Sequence, residues 1–169
     1  KPMPPLTPDL IPLLRANMAM MAATMPGTEI DHVEDFDAGG VAVRLYRPAS
    51  AVPLPLLVFL HGGGWMFGDL ETHDSMTRHL AAASGCAVLG VGYRLAPEHK
   101  FPAGLDDAMT ALDWARRSAA DLGCDPDRIA LGGESAGGNL NAAATRRLRD
   151  EGKPQPLLQL LIHPATDMS

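Results

Sequence analysis

A chain of 169 residues is long enough to bury a core of its own. Its hydrophobic share of 46% and charged share of 20% are those of a folded globular domain and exclude disordered and fibrous classes. A net charge of -6 with no basic tract excludes nucleic acid and anionic membrane surfaces as partners. No charge-free apolar run reaches the roughly 18 residues that a membrane span needs. The opening stretch, Lys1 to Pro5, is rich in proline and unlike a secretory leader. The two cysteines, Cys86 and Cys124, lie in or beside apolar stretches and read as buried free thiols. Together these features predict a cytoplasmic protein. The six histidines show no metal-ligand spacing, and His73 and His79 are expected on a helix surface. No metal or other cofactor is expected.

Residues 1–26 differ in composition from the rest, with Pro at the front and Met behind. Thr7 or Asp9 is expected to cap a helix whose apolar face is Leu10, Leu14, Met18 and Met21. Pro12 either starts the regular helix or kinks it, and Pro26-Gly27 ends it. This segment reads as core packing or as a mobile lid. Residues 27–169 form the second unit. Strands are predicted over 32–37 and 41–47, joined by Ala38-Gly39-Gly40, because Val41, Val43 and Leu45 alternate with Ala42, Arg44 and Tyr46. Residues 48–55 are expected to turn. The continuous apolar run 56–60 suits a strand buried on both faces.

From there helix and strand alternate. A helix is predicted over 73–84, a strand over 87–93 and a helix from about 102 carrying Leu105, Ala108, Met109, Leu112, Ala115 and Leu122. A strand follows over 128–132. The next helix starts at Ala136, with Ala136, Leu140, Ala144 and Leu148 on one face, and a last strand covers 157–162. Strict alternation predicts an α/β fold with a mostly parallel sheet and helices on both faces.

Two glycine-bearing motifs sit at strand ends. After the strand 56–60 comes His61-Gly62-Gly63-Gly64-Trp65, whose bare amides can approach a ligand closely. No Lys-Ser/Thr follows, so it is not a P-loop, and neither it nor Gly90-Val91-Gly92 has dinucleotide-binding spacing. Between the strand 128–132 and the helix from Ala136 stands Gly133-Glu134-Ser135-Ala136-Gly137, a G-x-S-x-G in the strand–turn–helix context that exposes a nucleophilic serine. Alone, each is an ordinary small-residue turn. Ligands of parallel α/β sheets bind beyond the carboxyl ends of the strands, so the two motifs together describe a serine facing amides able to stabilise an oxyanion.

These motifs, with Tyr93-Arg94-Leu95-Ala96-Pro97-Glu98-His99, Phe101-Pro102-Ala103 and Asp125-Pro126-Asp127-Arg128-Ile129, resemble the hormone-sensitive-lipase-like esterases, which are α/β-hydrolases. Members more often carry Asp where Glu134 stands. The resemblance implies an α/β-hydrolase fold with an N-terminal cap helix and the activity of a carboxylic ester hydrolase acting on small, short-acyl esters. It implies Ser135 as nucleophile and the amides of Gly63, Gly64 and Ala136 as the oxyanion hole. His61 and Gly62 would hold the loop, Glu134 would be a structural carboxylate, and Tyr93, Arg94 and Glu98 would brace the loop before the next helix. Trp65, Met66 and Phe67, with the Met-rich first helix, would either shape an apolar pocket or be plain core.

A serine needs a base to take its proton, and in this fold the order is Ser, then Asp or Glu, then His. After Ser135 come only Asp150, Glu151, His163 and Asp167. Asp150 and Glu151 end the helix that Ser135 opens, roughly 22 Å away at 1.5 Å per residue. His163 precedes Asp167, which reverses the order. The chain therefore reads as the N-terminal half of a longer esterase, whose remaining C-terminal half is its partner and supplies acid and histidine. Alone it is expected to be poorly soluble and nearly inactive, with its last strand an open apolar edge. An edge strand also offers a route to a homodimer. The rival readings are a non-catalytic ligand receptor on the same fold, and an amidase or thioesterase using the same groups.

Overall fold

Residues 7–166 are described in a computed structural model. Six strands, β1 (His32–Asp37), β2 (Ala42–Arg47), β3 (Leu54–Leu60), β4 (Ala87–Gly92), β5 (Cys124–Glu134) and β6 (Gln159–Ile162), form one sheet in the order β1-β2-β4-β3-β5-β6. The β1–β2 and β2–β4 pairs are antiparallel, while β3, β4, β5 and β6 run parallel. Four helices accompany the sheet: α1 (Ile11–Ala22), α2 (Asp74–Ser84), α3 (Ala103–Ser118) and α4 (Ala136–Asp150).

The apolar run in β3 is split by the two-residue period of a strand. Leu56, Val58 and Leu60 face the layer containing Leu105, Leu112, Leu140 and Leu148 from α3 and α4. Leu57 and Phe59 face the opposite layer with Tyr46, Val88 and Ala81 of α2. Burial on both faces explains why this strand has no polar alternation. The predicted inward face of α4, Ala136, Leu140, Ala144 and Leu148, is buried throughout.

Several boundaries and faces depart from the sequence reading. Strand β3 begins at Leu54, inside the expected turn, because Leu54 pairs with Cys124 before the register shifts. That same pairing extends β5 back to Cys124, through Pro126. On α1 the stripe turned inward is Ile11, Arg15, Met18 and Ala22, while Leu10, Leu14 and Met21 of the expected face are exposed. Neither Thr7 nor Asp9 caps that helix; its N-cap position is Leu10, a short 3-10 turn (Pro8–Leu10) precedes it, and Pro12 fits in the first turn. His73 is not a surface residue of α2 but its half-buried N-cap, while Cys86 is only half-buried. Both cysteines are free thiols. Burial pushes the Cys124 thiol pKa up to about 11. Strand β6 begins two residues later than expected and is the outermost strand on its side among the described residues, with Leu161 exposed on it and Leu157 and Leu158 exposed just before it.

Candidate active site

Strands β3 and β5 are parallel neighbours, with Leu60 opposite Gly133. The glycine loop and the serine turn therefore leave the sheet side by side at its carboxyl edge. Their contact is tight. A Cβ built on Gly137 would run into the carbonyl oxygen of Leu60 and stand 2.5 Å from that of His61. One on Gly62 would run into the Glu134 carboxylate. Only glycine lets α4 start this close to the end of β3.

Ser135 has φ 52 and ψ -113, a left-handed conformation unusual for a residue with a side chain. Its amide donates to the Ile162 carbonyl (2.9 Å), and its carbonyl accepts from the Asn139 (3.0 Å) and Ala165 (3.2 Å) amides. The turn is thus clamped between α4 and the end of β6. Among the described residues only Trp65 (φ 61), Ser135 and His163 (φ 32) are non-glycines with positive φ, and all three lie at this edge. Such conformations cost on the order of 1–3 kcal/mol each and persist where packing imposes them. The Ala136 amide opens α4 and has no partner within the helix, at the positive end of its dipole.

The glycine loop folds into a tight turn. The Gly63 carbonyl accepts from the Met66 (3.1 Å) and Phe67 (2.9 Å) amides, with Gly63 at φ 116. Among the described residues, the amides of Gly63 and Gly64 donate to no backbone acceptor. His61 lies beneath, 3% exposed, and its Nδ1–H donates to the Gly62 carbonyl (2.7 Å), which fixes the tautomer. Its Nε2 is buried without a partner. The ring stacks on Tyr93 (4.3 Å between centroids, 14° between planes) and lies 5.0 Å from the His73 ring. The Tyr93 hydroxyl donates to the His61 carbonyl (2.8 Å). Burial lowers the His61 pKa to about 4 and moves His73 in the same direction, while burial and then the Glu134 charge raise that of Tyr93. His61 is thus a neutral support of the loop.

The other expected residues fall nearby with definite partners. Glu134 packs against Gly62 and pairs with His163 Nε2 (3.1 Å). Arg94 pairs with the buried Asp107 at the start of α3 (2.7 Å). Glu98 pairs with Arg15 (2.8 Å), a contact between α1 and this edge that no local pattern announces. A cavity of about 210 Å³ opens between the N-terminal parts of α3 and α4 and the loops at this edge, lined among others by Trp65, Tyr93, Phe101, Leu105, Asn139 and Leu140. Met66, Phe67 and α1 do not line it, so of the expected pocket only Trp65 is in place. Asp150 and Glu151 lie at the far end of α4, paired with Arg149 and Arg147. Asp167 lies outside the described residues. Among the described residues no group of three or more His, Cys, Asp or Glu is placed to hold a metal, and no helix is long and apolar enough to cross a membrane.

Residues 57–169 match a family described as the alpha/beta hydrolase fold. The chain is 45% identical over 172 aligned residues to the carboxylic ester hydrolase LipN of Mycobacterium tuberculosis, covering 95% of this chain and 46% of LipN. It is 48% identical over 127 residues to the carboxylesterase NlhH of the same organism, covering 75% of this chain and 40% of NlhH. An ester-hydrolase from the metagenome of Lake Arreo, solved with a derivative of bipyridine phosphonate, superposes with a TM-score of 0.87 at 40% identity, covering 94% of this chain and 53% of that one. The chain spans about half the length of the relatives it matches.

Proposed function

Because this chain belongs to the α/β-hydrolase fold family, as a hormone-sensitive-lipase-like member, we propose that it carries the nucleophile and the oxyanion donors of a serine carboxylesterase. The observation that carries this reading is the strained Ser135, set beside a glycine turn whose Gly63 and Gly64 amides have no backbone acceptor among the described residues. A serine held at φ 52 serves no backbone purpose that glycine would not serve with less strain. In the proposed reaction the Ser135 Oγ attacks the ester carbonyl carbon while its proton passes to a histidine. The oxyanion takes hydrogen bonds from the amides of Gly63, Gly64 and Ala136, each donor being worth on the order of 2.7–4 kcal/mol of barrier. Collapse expels the alcohol, protonated by the same histidine, and leaves acyl-Ser135. Water then repeats the sequence and releases the acid. Glu134 and His61 support the loop and do not react.

The histidine and its orienting acid are assigned to the remaining half of the protein. His163 faces Glu134 at 3.1 Å and precedes Asp167, the reverse of the expected order, and Asp150 and Glu151 stand a helix length away. The free edge of β6, with the exposed leucines on and just before it, is the surface on which that half would continue the sheet. A homodimer pairing through an edge strand is the other arrangement open to it. Residues 1–26 are read as a cap over a catalytic unit that begins at residue 27. The cavity beside Trp65 and Leu140 suits a short apolar acyl or alcohol group of a small ester. Free thiols at Cys86 and Cys124 fit a reducing, cytoplasmic setting.

Treating the full-length protein with a fluorophosphonate tests this directly. Peptide mapping should find the adduct on Ser135, Ser135→Ala should carry none, and only the unmodified protein should turn over p-nitrophenyl esters. A folded protein that takes no adduct at Ser135 overturns the reading in favour of a ligand receptor.

A further inference from the structure

Helix α1 grips the loops at this edge through one side chain. Arg15 Nε donates to the Met66 carbonyl (2.8 Å) and its Nη2 to the Ala96 carbonyl (2.9 Å). The same guanidinium makes two bonds to the Glu98 carboxylate, at 2.8 and 2.9 Å. The Ala96 amide in turn donates to the Trp65 carbonyl (2.8 Å). The peptides at positions 65 and 66 are therefore held from outside by α1 and by the loop around residue 96, and Arg15 joins the two holders.

Gly63 and Gly64 have no side chains to set the direction of their own amides, and glycine backbone is the freest to rotate. That direction must come from the turn they belong to. Its inner side is packed by Glu134 against Gly62, with His61 Nδ1 on the Gly62 carbonyl. Its outer side ends at Met66, whose amide closes on the Gly63 carbonyl and whose carbonyl takes the Arg15 bond. The ion pair itself is partly exposed, with Arg15 at 29% and Glu98 at 51%, and such pairs contribute about 0–1 kcal/mol. Its role is to aim the guanidinium fork, whose planar donors can reach two carbonyls at once.

We propose that Arg15 is a positioning residue for the oxyanion loop: by gripping the Met66 and Ala96 carbonyls, it holds the turn 63–66 so that the Gly63 and Gly64 amides face Ser135. This rests on the esterase reading above. It makes α1 a working part of the site, acting on the loop from behind and not as a wall of the cavity.

The test uses Arg15→Met, which keeps the stem and removes every donor, in the full-length protein. Active sites are titrated by the acyl burst, so that kcat is expressed per folded site. The expected result is a roughly 10- to 100-fold fall in kcat with KM within about threefold, because loop displacement misplaces donors used in the transition state. Hydrogen exchange of the segment 62–67 should quicken, while exchange in β3 and β5 stays as in the parent. Arg15→Lys keeps the charge opposite Glu98 without the fork, and it should fall in the same direction by about 3- to 10-fold. If Arg15→Met does not fold, Arg15→Lys decides by the same two measurements. A variant set with lowered melting temperature but unchanged kcat per titrated site and unchanged exchange at 62–67 overturns the proposal, since Arg15 is then a structural tie only. If the parent protein itself hydrolyses no ester, the esterase reading falls. The exchange comparison then decides whether Arg15 holds the loop, with quickened exchange upholding the grip and unchanged exchange overturning it.

Discussion

Replacing Gly137 with alanine is the sharpest test of how closely the serine turn is pressed against the glycine loop. The added methyl would overlap the Leu60 carbonyl and stand 2.5 Å from the His61 carbonyl oxygen, where ordinary contact begins at 3.4 Å. Both obstacles are backbone, and both belong to the strand end from which the glycine loop departs. The start of α4 must therefore move away from β3 by about 0.9 Å to restore contact with His61 alone. Overpacking of this kind costs about 3 kcal/mol, the upper part of the usual range, because no flexible side chain can give way. A shift near 1 Å between nucleophile and donors also costs about 10²-fold in turnover. Gly138→Ala provides the internal comparison: its methyl would meet Pro164 at 2.9 Å (Cβ) and 3.1 Å (Cα) and the Gly133 carbonyl oxygen at 3.2 Å, contacts that a shift of a few tenths of an ångström relieves. Urea denaturation of the full-length variants and kcat on a p-nitrophenyl ester should show Gly137→Ala as much the worse of the two. If Gly137→Ala loses under about 1 kcal/mol and retains its kcat, loop and serine turn do not converge this closely.

Three further outcomes follow from the same geometry. Ser135→Gly removes backbone strain of about 1–3 kcal/mol against about 0.5–1 kcal/mol for glycine's looser unfolded chain, so denaturation should show a gain near 1 kcal/mol together with complete loss of fluorophosphonate labelling. His61 folds with its pKa lowered from 6.5 to about 4, so its contribution to stability is complete above pH 6.5 and is lost as pH falls from 6.5 towards 4. At about 1.4 kcal/mol per pH unit this is about 3 kcal/mol, and His61→Asn should flatten the dependence of unfolding free energy on pH in that window. Asn141 is fully buried and donates to the Leu131 (2.9 Å) and Leu160 (3.1 Å) carbonyls while accepting from Gln159 (2.9 Å). Asn141→Ala should cost about 2–3 kcal/mol in a denaturation experiment, since it leaves several buried groups unpaired.

The meeting of the two motifs at one sheet edge was legible because they are short and ordered along the chain. The glycine run and the G-x-S-x-G each end an apolar strand, and parallel strands point such ends the same way. Strands β3 and β5 are also neighbours, so Gly63 and Ser135 needed no long-range guess. What the sequence did not disclose depends on contacts far apart in it. The Leu and Met residues of α1 suggested an inward face, yet the helix turns Ile11 and Arg15 inward because the Arg15 fork finds partners at residues 66, 96 and 98. A residue that is polar by type gives no hint of such burial. Asp125 and Pro126 have turn chemistry, but the pairing of Cys124 with Leu54 draws them into β5. His73 looked like a helix-surface residue, and only the tertiary arrangement brings its ring 5.0 Å from that of His61.

The bond from the Ser135 amide to the Ile162 carbonyl has a mechanical consequence. It ties the reactive turn to the alignment of the outer strand. Side chains in a strand alternate between faces, so sliding β6 by one residue would withdraw that acceptor and turn Leu160 and Leu161 over together. The serine thus acts as a pawl on the ratchet of the sheet edge, with the Ala165 amide on its carbonyl as the second catch.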